Sequence, residues 1–344
     1  MMNPIRQFSP LPTRMLSSMF VKLIFPGWLS FGWISFSGLS ASWFAVVWFA
    51  AGGLSPGRLS AAERPPTAHA FLVAGPTFTG IIDEQGREQW SAPRAGARDG
   101  WVLSNGHVLV AWANEVIEFD LEKQSTWRYG LDPANGEIGS IERLENGNTL
   151  ISELGANPRL IEVGTDGQIA VEVPLQPETE NVHMQTRMAR KLASGNYLAP
   201  HLLAFAVKQY TPAGEVVQVL RTDGDSFDGR EAKHWPFTAI RLKSGHTVVG
   251  CTYGNRVVEF DAEGRVVWEI DNDDVGDIIR DACGVQRLPN GNTVVACYGA
   301  QKGVKMFEVN HDKAVVWTYA GPHRAHHFQI LTTNGEPLPG KPMK

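Results

Sequence analysis

The sequence predicts an all-β fold, a six-bladed β-propeller, and three observations carry that expectation. First, a Leu-x-Asn/Ser-Gly turn recurs through the chain. Its glycines are Gly106, Gly147, Gly195, Gly245 and Gly291, a spacing that matches propeller blades and some helical repeats. Second, each interval holds short β-type runs split by Gly turns and shows no apolar stripe of helical period. Third, the first unit, from residue 70, lacks its opening strand, while His327–Gly335 reads as an opening strand with nothing after it. The two fragments complete one blade, so the C-terminal strand is expected to close the ring, and closure removes the sheet edges that invite aggregation.

The elements follow in order. Residues 1–62 contain Arg6, Arg14, Lys22 and Arg58 but no Asp or Glu, and Met19–Leu54 is rich in aromatic, aliphatic and small residues. A basic flank, an apolar stretch and the small residues Ser60-Ala61-Ala62 read as a secretory signal peptide. The alternative is a retained signal anchor, since Trp28–Ala51 is long enough to span a bilayer. In both cases the remainder is exported, to the periplasm or cell envelope. Residues 63–69 read as a linker and 70–344 as the propeller.

Residues 238–270 show a whole repeat: strand A Thr238–Leu242, strand B Thr247–Cys251, strand C Arg256–Asp261 and strand D Val266–Ile270. Four meandering strands make one blade. The C strands align as Val116-Ile117-Glu118-Phe119, Leu160-Ile161-Glu162-Val163, Val207-Lys208-Gln209-Tyr210 and Met306-Phe307-Glu308-Val309, alternating as half-buried strands should. The D strands place Trp90, Trp127, Trp268 and Trp317 in one column, with Val171 and Gln218 in the two departing blades. These tryptophans are expected to pack blade against blade. The complete blades are expected at about 100–130, 140–174, 186–221, 237–270 and 284–319. The Asn-Gly pair itself suggests a two-residue hairpin turn with positive φ angles.

The run Leu288-Pro289-Asn290-Gly291-Asn292-Thr293, with Val257-Val258-Glu259-Phe260-Asp261 and Val266-Val267-Trp268-Glu269, resembles the repeats of exported bacterial PQQ-like or arylsulfotransferase-like β-propeller proteins. The resemblance covers about residues 70–335 and implies the fold; for arylsulfotransferases it would also imply a histidine nucleophile, but no catalytic motif matches residue by residue. PQQ dehydrogenase chemistry is not expected, because no adjacent Cys pair is present. The sequence assigns no cofactor.

Charge excludes one class of partner. With the four N-terminal cations set aside, 27 basic residues face 36 acidic ones, a net −9, which lacks the basic footprint of nucleic-acid binding. Membrane contact is expected only through a possible N-terminal anchor. The aspartates of 271–274 resemble a calcium loop, but Val275 and Ala282 stand where oxygen ligands belong, so a solvated acidic loop is expected. The loop at 223–229 gets the same reading.

The functional face follows from the topology. Strand A begins and strand B ends on the side where the long D-to-A connections lie, and long loops on a rigid scaffold carry binding groups. Those loops contain His183, Arg187, His234, Trp235, His326 and His327. The column ending strand B holds Trp112, Glu153, His201, Cys251 and Cys297. The ligand-binding candidates are therefore His183, Arg187, His201, His234, Trp235, His326, His327, Trp112 and Glu153. His107 and His246 fall in the opposite, tight turns and are expected to be solvated. No metal site is assigned, because the only His-x-x-x-His spacing, His323 to His327, falls in a loop. Cys283 and Cys297 are expected as two buried thiols with Cys283 facing Tyr298, a diagonal disulfide being the alternative. The expected function is an exported, non-catalytic propeller that binds a small molecule, glycan or protein partner through this face. The alternative is a histidine-dependent enzyme there, an arylsulfotransferase-like transferase or a hydrolase.

Overall fold

A computed structural model describes residues 66–223 and 234–344. The expected signal or anchor at 1–62 lies outside the described residues, as do the start of the linker and most of the acidic loop at 223–229. The chain forms β1 (His69–Ala74), β2 (Thr79–Ile82) and β3 (Glu88–Ser91), then five four-stranded meanders. These are β4 (Asp99–Val102), β5 (Val108–Ala111), β6 (Glu115–Phe119) and β7 (Ser125–Gly130); β8 (Asn135–Arg143), β9 (Thr149–Gly155), β10 (Arg159–Val163) and β11 (Ile169–Pro174); β12 (Arg190–Lys191), β13 (Tyr197–His201), β14 (Ala206–Tyr210) and β15 (Val216–Arg221); β16 (Trp235–Arg241), β17 (Thr247–Thr252), β18 (Arg256–Phe260) and β19 (Val266–Ile270); and β20 (Ala282–Arg287), β21 (Thr293–Cys297), β22 (Met306–Val309) and β23 (Val315–Tyr319). β24 (His327–Thr333) then pairs with β1, and β25 (Glu336–Pro337) adds a short inner edge.

The fold is the expected six-bladed propeller, closed by its C-terminal strand. β24 pairs antiparallel with β1 from Ala74↔His327 to His69↔Thr333, with a bulge at Ala70/Phe71. The seam is also packed: Phe71, Val73 and Ile82 share an apolar cluster with Val294, Ala296 and Met306 of the last meander. The core lies between blades throughout, as where Trp101 and Leu109 meet Ile138 and Ile151.

The tryptophan column reads out in the ladder, which pairs Ile81↔Trp90, Glu118↔Trp127, Glu162↔Val171, Gln209↔Gln218, Glu259↔Trp268 and Glu308↔Trp317. The rings bridge blades: Trp268 donates to His311 O at 2.8 Å and Trp317 lies edge-on to His69 at 4.7 Å.

Two turn expectations are corrected. In the recurring A-to-B turn only the glycine has positive φ, 83–91° in the five copies. Gly291 N bonds Leu288 O and Leu288 N bonds Asn292 O, a three-residue loop closed by a left-handed glycine. The Asn contributes differently: Asn290 Oδ1 accepts from Asn292 N at 2.9 Å. The Asn-Gly pair forms a two-residue turn at Asn334-Gly335, with φ of 52° and 85°. The tight-turn histidines are also not simply solvated. His107 Nδ1 and His246 Nδ1 lie 2.7 and 2.8 Å from Glu118 and Glu259. The same two glutamates bind Arg143 and Arg287 of the next blade, each at 2.6 Å. The C-strand glutamate is therefore an inter-blade clamp, repeated by Glu162 with Lys191 and Glu308 with His69.

The acidic loop at 271–274 forms a short helix, α1 (Asn272–Val275), in a capping box with Asp271. Asp274 pairs with Lys313 at 2.9 Å. All three cysteines are free and buried. The ladder pairs Ala282 with Cys297 across a bulge, so Cys283 does not face Tyr298 in register; the turn is one residue longer than a two-residue hairpin, which shifts the count.

Candidate functional site

Strand A is the innermost strand of each blade, and its first residues crowd around the axis on the long-loop face. They alternate between two environments. Arg98, Arg187 and His326 line a cavity of about 220 Å³. Asp99, Arg190 and His327, one to three residues further on, turn to the axis and are fully or nearly fully buried.

The axial cluster fills the channel. Asp99 accepts from Gly100 N at 2.8 Å and Ile141 N at 3.1 Å. His327 Nδ1 lies 3.2 Å from it, Arg190 3.3 Å and Lys344 Nζ 3.4 Å. Residues 338–344 cross the tight-turn side, with Leu338 N bonded to Leu331 O and Arg287 N to Met343 O. Lys341 pairs with Glu142 at 2.5 Å. The Lys344 side chain then inserts, donating to Gly100 O at 2.7 Å and lying 3.9 Å over the Trp101 ring. Burial would raise the Asp99 carboxyl, but Lys344, Arg190 and His327 together hold it well below its usual range. Burial pushes Lys344 down to about 7 and His327 down to about 3.

The cavity has two unlike walls. On one, Glu137 at the start of β8 receives Arg98 at 2.7 and 3.1 Å, Arg187 at 3.3 Å and His183 Nδ1 at 3.2 Å. Burial opposes ionisation of Glu137, but the His183 bond and the two guanidiniums outweigh it and hold its carboxyl below the usual range. Burial lowers Arg187 to about 10, which leaves it charged at neutral pH. Two guanidiniums on one carboxylate leave a surplus positive charge there. The other wall is aromatic. Tyr298 stacks on His326 with centroids 4.1 Å apart, and Trp235 meets Tyr253 at 4.5 Å. Asp281 and Cys283 stand beside them, and Met184, Met188 and Leu202 supply apolar lining. Burial, and then repulsion from Arg98 and Arg187, lower His326 to about 4 despite its contact with Ala97 O, so it is neutral near pH 7.

Of the nine sequence candidates, His183, Arg187, Trp235 and His326 line the cavity. The other five do not. Trp112 is buried with its indole N–H on Ala95 O at 2.9 Å. Glu153 is buried and accepts from Tyr129, Asp132 N, Asn135 and Arg159. His201 is buried between Tyr210 at 2.9 Å and Glu178 at 3.3 Å. His234 is buried with its carbonyl accepting from Thr222. His327 belongs to the axial cluster. Trp112, Glu153 and His201 share one cause: strand B is second from the axis, so the end of that column is covered by adjacent loops. His323, outside the set, stacks on Phe78 at 4.1 Å.

Sequence reasoning passed over Glu137, Tyr253, Asp281 and Lys344. Asp281 had a usable signal, because it closes a long D-to-A connection. Lys344 had none, since its place depends on where the last residues run. Among the described residues no group of three or more His, Cys, Asp or Glu is arranged to hold a metal ion.

No family model matches the chain, and no curated protein matches its sequence. Solved structures do. A protein of unknown function from Bacteroides caccae shares 19% identity at a TM-score of 0.66, over 76% of this chain and 98% of that one. A catalytically inactive virginiamycin B lyase from Staphylococcus aureus, solved with quinupristin, shares 13% at 0.52, over 74% of this chain and 84% of that one. A chain of a nidogen/laminin complex shares 9% at 0.54, over 77% and 98%. At these identities the likeness establishes the propeller fold alone, because one fold hosts many chemistries.

Proposed function

We propose that this chain is a small-molecule-binding β-propeller, exported to the cell envelope, that takes its ligand in the cavity on the long-loop face without chemical turnover. Export is inferred from the basic, acid-free and apolar composition of residues 1–62. The observation that carries the binding reading is the cavity itself: about 220 Å³, with guanidiniums on one side and aromatic rings on the other. Concave, mostly apolar sites with a few convergent polar groups are the usual form of ligand pockets. The cavity favours a small ligand over a glycan or a protein face, since a volume of roughly 150 Å³ already takes benzene. The kinship to PQQ-like or arylsulfotransferase-like repeat proteins is proposed at the level of the repeat only.

The test is a thermal-shift screen of the full chain against small metabolites, followed by calorimetry. A ligand at a hundred times its Kd adds about 2.7 kcal/mol. At roughly 2–4 °C per kcal/mol for a domain of this size, Tm rises by about 5–11 °C. Hits should weaken in Trp235→Ala and in Arg98→Gln. Hits indifferent to both substitutions would place binding elsewhere and refute the reading.

One observation favours a second reading, a histidine-dependent enzyme on the same face. His183 is exposed and its Nδ1 lies 3.2 Å from Glu137 Oε1, an imidazole oriented by a carboxylate as a general base requires. The lyase among the structural neighbours fits such chemistry, as would an arylsulfotransferase-like transfer or a hydrolysis. Following each hit for turnover decides: product formed by the wild type and lost in His183→Asn replaces binding with catalysis.

A further inference from the structure

The two walls of the cavity differ in charge as well as in shape. Around Glu137, two guanidiniums face one carboxylate, so this end carries a net +1. Asp281 also lines the cavity, and among the described residues its carboxylate has neither a hydrogen-bond donor nor an ion-pair partner. Its backbone is nevertheless fixed, with Asp281 N donating to Asn255 Oδ1 at 2.8 Å and Tyr298 N to Asp281 O at 3.0 Å. Room for the carboxylate is made by Gly299, where a Cβ would lie 2.5 Å from Asp281 Oδ2.

Backbone strain collects at the same rim. Tyr253, Asn255 and Asp281 have φ of 57°, 48° and 53°. Asn and Asp tolerate this left-handed region, but a tyrosine there is uncommon. Residues held in sparsely populated conformations cluster at ligand clamps. The Tyr253 ring lies against Trp235, and both line the cavity with Asp281 and Tyr298. An unpaired carboxylate among Trp and Tyr rings is the chemistry that recognises an organic ammonium group, whose charge is drawn to ring faces.

We infer that the cavity binds a zwitterion: a small molecule with an organic ammonium group held by Asp281, Trp235 and Tyr253, and a carboxylate held at Arg98 and Arg187, separated by an apolar body. This rests on the cavity being the ligand site. It follows from the charge pattern, since the lining presents both surplus guanidinium charge and an unpaired carboxylate, and neither a simple anion nor a simple cation satisfies both. The body between them meets Phe237, Met184 and Met188.

Three matched probes test it by calorimetry at pH 7 on the full chain. 4-(Aminomethyl)benzoate carries both charges across one ring; 4-methylbenzoate and 4-methylbenzylamine carry one each. The zwitterion is expected to bind at least tenfold more tightly than either. Asp281→Asn keeps a residue suited to φ 53° and should reduce the zwitterion to the level of 4-methylbenzoate, whose own binding stays unchanged. Arg98→Gln should weaken both carboxylates and leave the amine unaffected. Should Asp281→Asn lower Tm markedly, Tyr253→Asn, exposed and equally suited to positive φ, is expected to weaken the two amines selectively. Equal binding by the zwitterion and a single-charge probe, sensitive to Trp235→Ala, overturns the inference and leaves the cavity reading standing. So does the absence of binding by all three probes when Trp235-dependent hits emerge from the wider screen. No Trp235-dependent ligand of any class overturns both.

Discussion

Asp99→Asn is the most informative single substitution in the scaffold. Asp99 has no solvent exposure and, among the described residues, is the acid that pairs with Lys344, Arg190 and His327 together at the axis. Asparagine keeps its shape and one carbonyl oxygen but removes the charge that compensates two buried cations. Breaking one side of a buried ion pair costs about 3–5 kcal/mol. Lys344 offsets part of this by giving up its proton, since burial already holds it at about 7. Arg190 has no such escape, because a guanidinium keeps its proton under all ordinary conditions. The lower end, about 3 kcal/mol, is therefore expected, which at roughly 2–4 °C per kcal/mol lowers Tm by about 6–12 °C. Urea unfolding of the wild type, Asp99→Asn, Lys344→Met and the double variant completes a cycle. The double variant should be less destabilised than the sum of the singles by at least about 1 kcal/mol, as residues in contact normally couple. A Tm within 2 °C of wild type for Asp99→Asn, or additive singles, would show that the axial lysine does not depend on Asp99.

Two further outcomes follow from the same structure. His326 and His327 titrate at about 4 and about 3, against an ordinary value of 6.5. The unfolded chain therefore takes up protons first, so the stability from these neutral rings is complete above about 6.5 and is lost as pH falls toward 4. Each contributes a slope of up to about 1.4 kcal/mol per pH unit. The urea midpoint should fall between pH 6.5 and 5, less steeply in His326→Phe; a flat midpoint in the wild type contradicts the buried neutral state. Separately, Gln209 stands where the other clamps have glutamate, and Arg241 of the next blade settles for Gln218 Oε1 at 3.0 Å. Gln209→Glu should add about 0.5–1 kcal/mol, roughly 1–4 °C in Tm. That gain should vanish when Arg241→Met is added; a lower Tm refutes the clamp.

The proposed ligand site was only partly legible in the sequence. Face and loops followed from topology, so His183, Arg187, Trp235 and His326 were reachable as neighbours of strand A starts. Residues ending strand B looked equivalent on paper, yet Trp112, Glu153 and His201 are covered by adjacent loops. One-residue steps also mattered: His326 lines the cavity while His327 faces the axis, because successive strand residues point to opposite sides. Sequence spacing located the pair but not which member faced which way.

What the sequence determined alone was the local and periodic part. The Gly turns, the C-strand alternation and the tryptophan column set the strand pairing, the blade count and the closing strand, because hairpin register depends on turn chemistry and a period of two. What only the tertiary structure decided was which distant groups share one volume. Arg98, Glu137 and Arg187 come from three blades, Asp281 from a fourth, and Lys344 reaches Asp99 from 245 positions away. Those contacts are set by the packing of blades around the axis and by the path of the last residues, which no periodicity encodes.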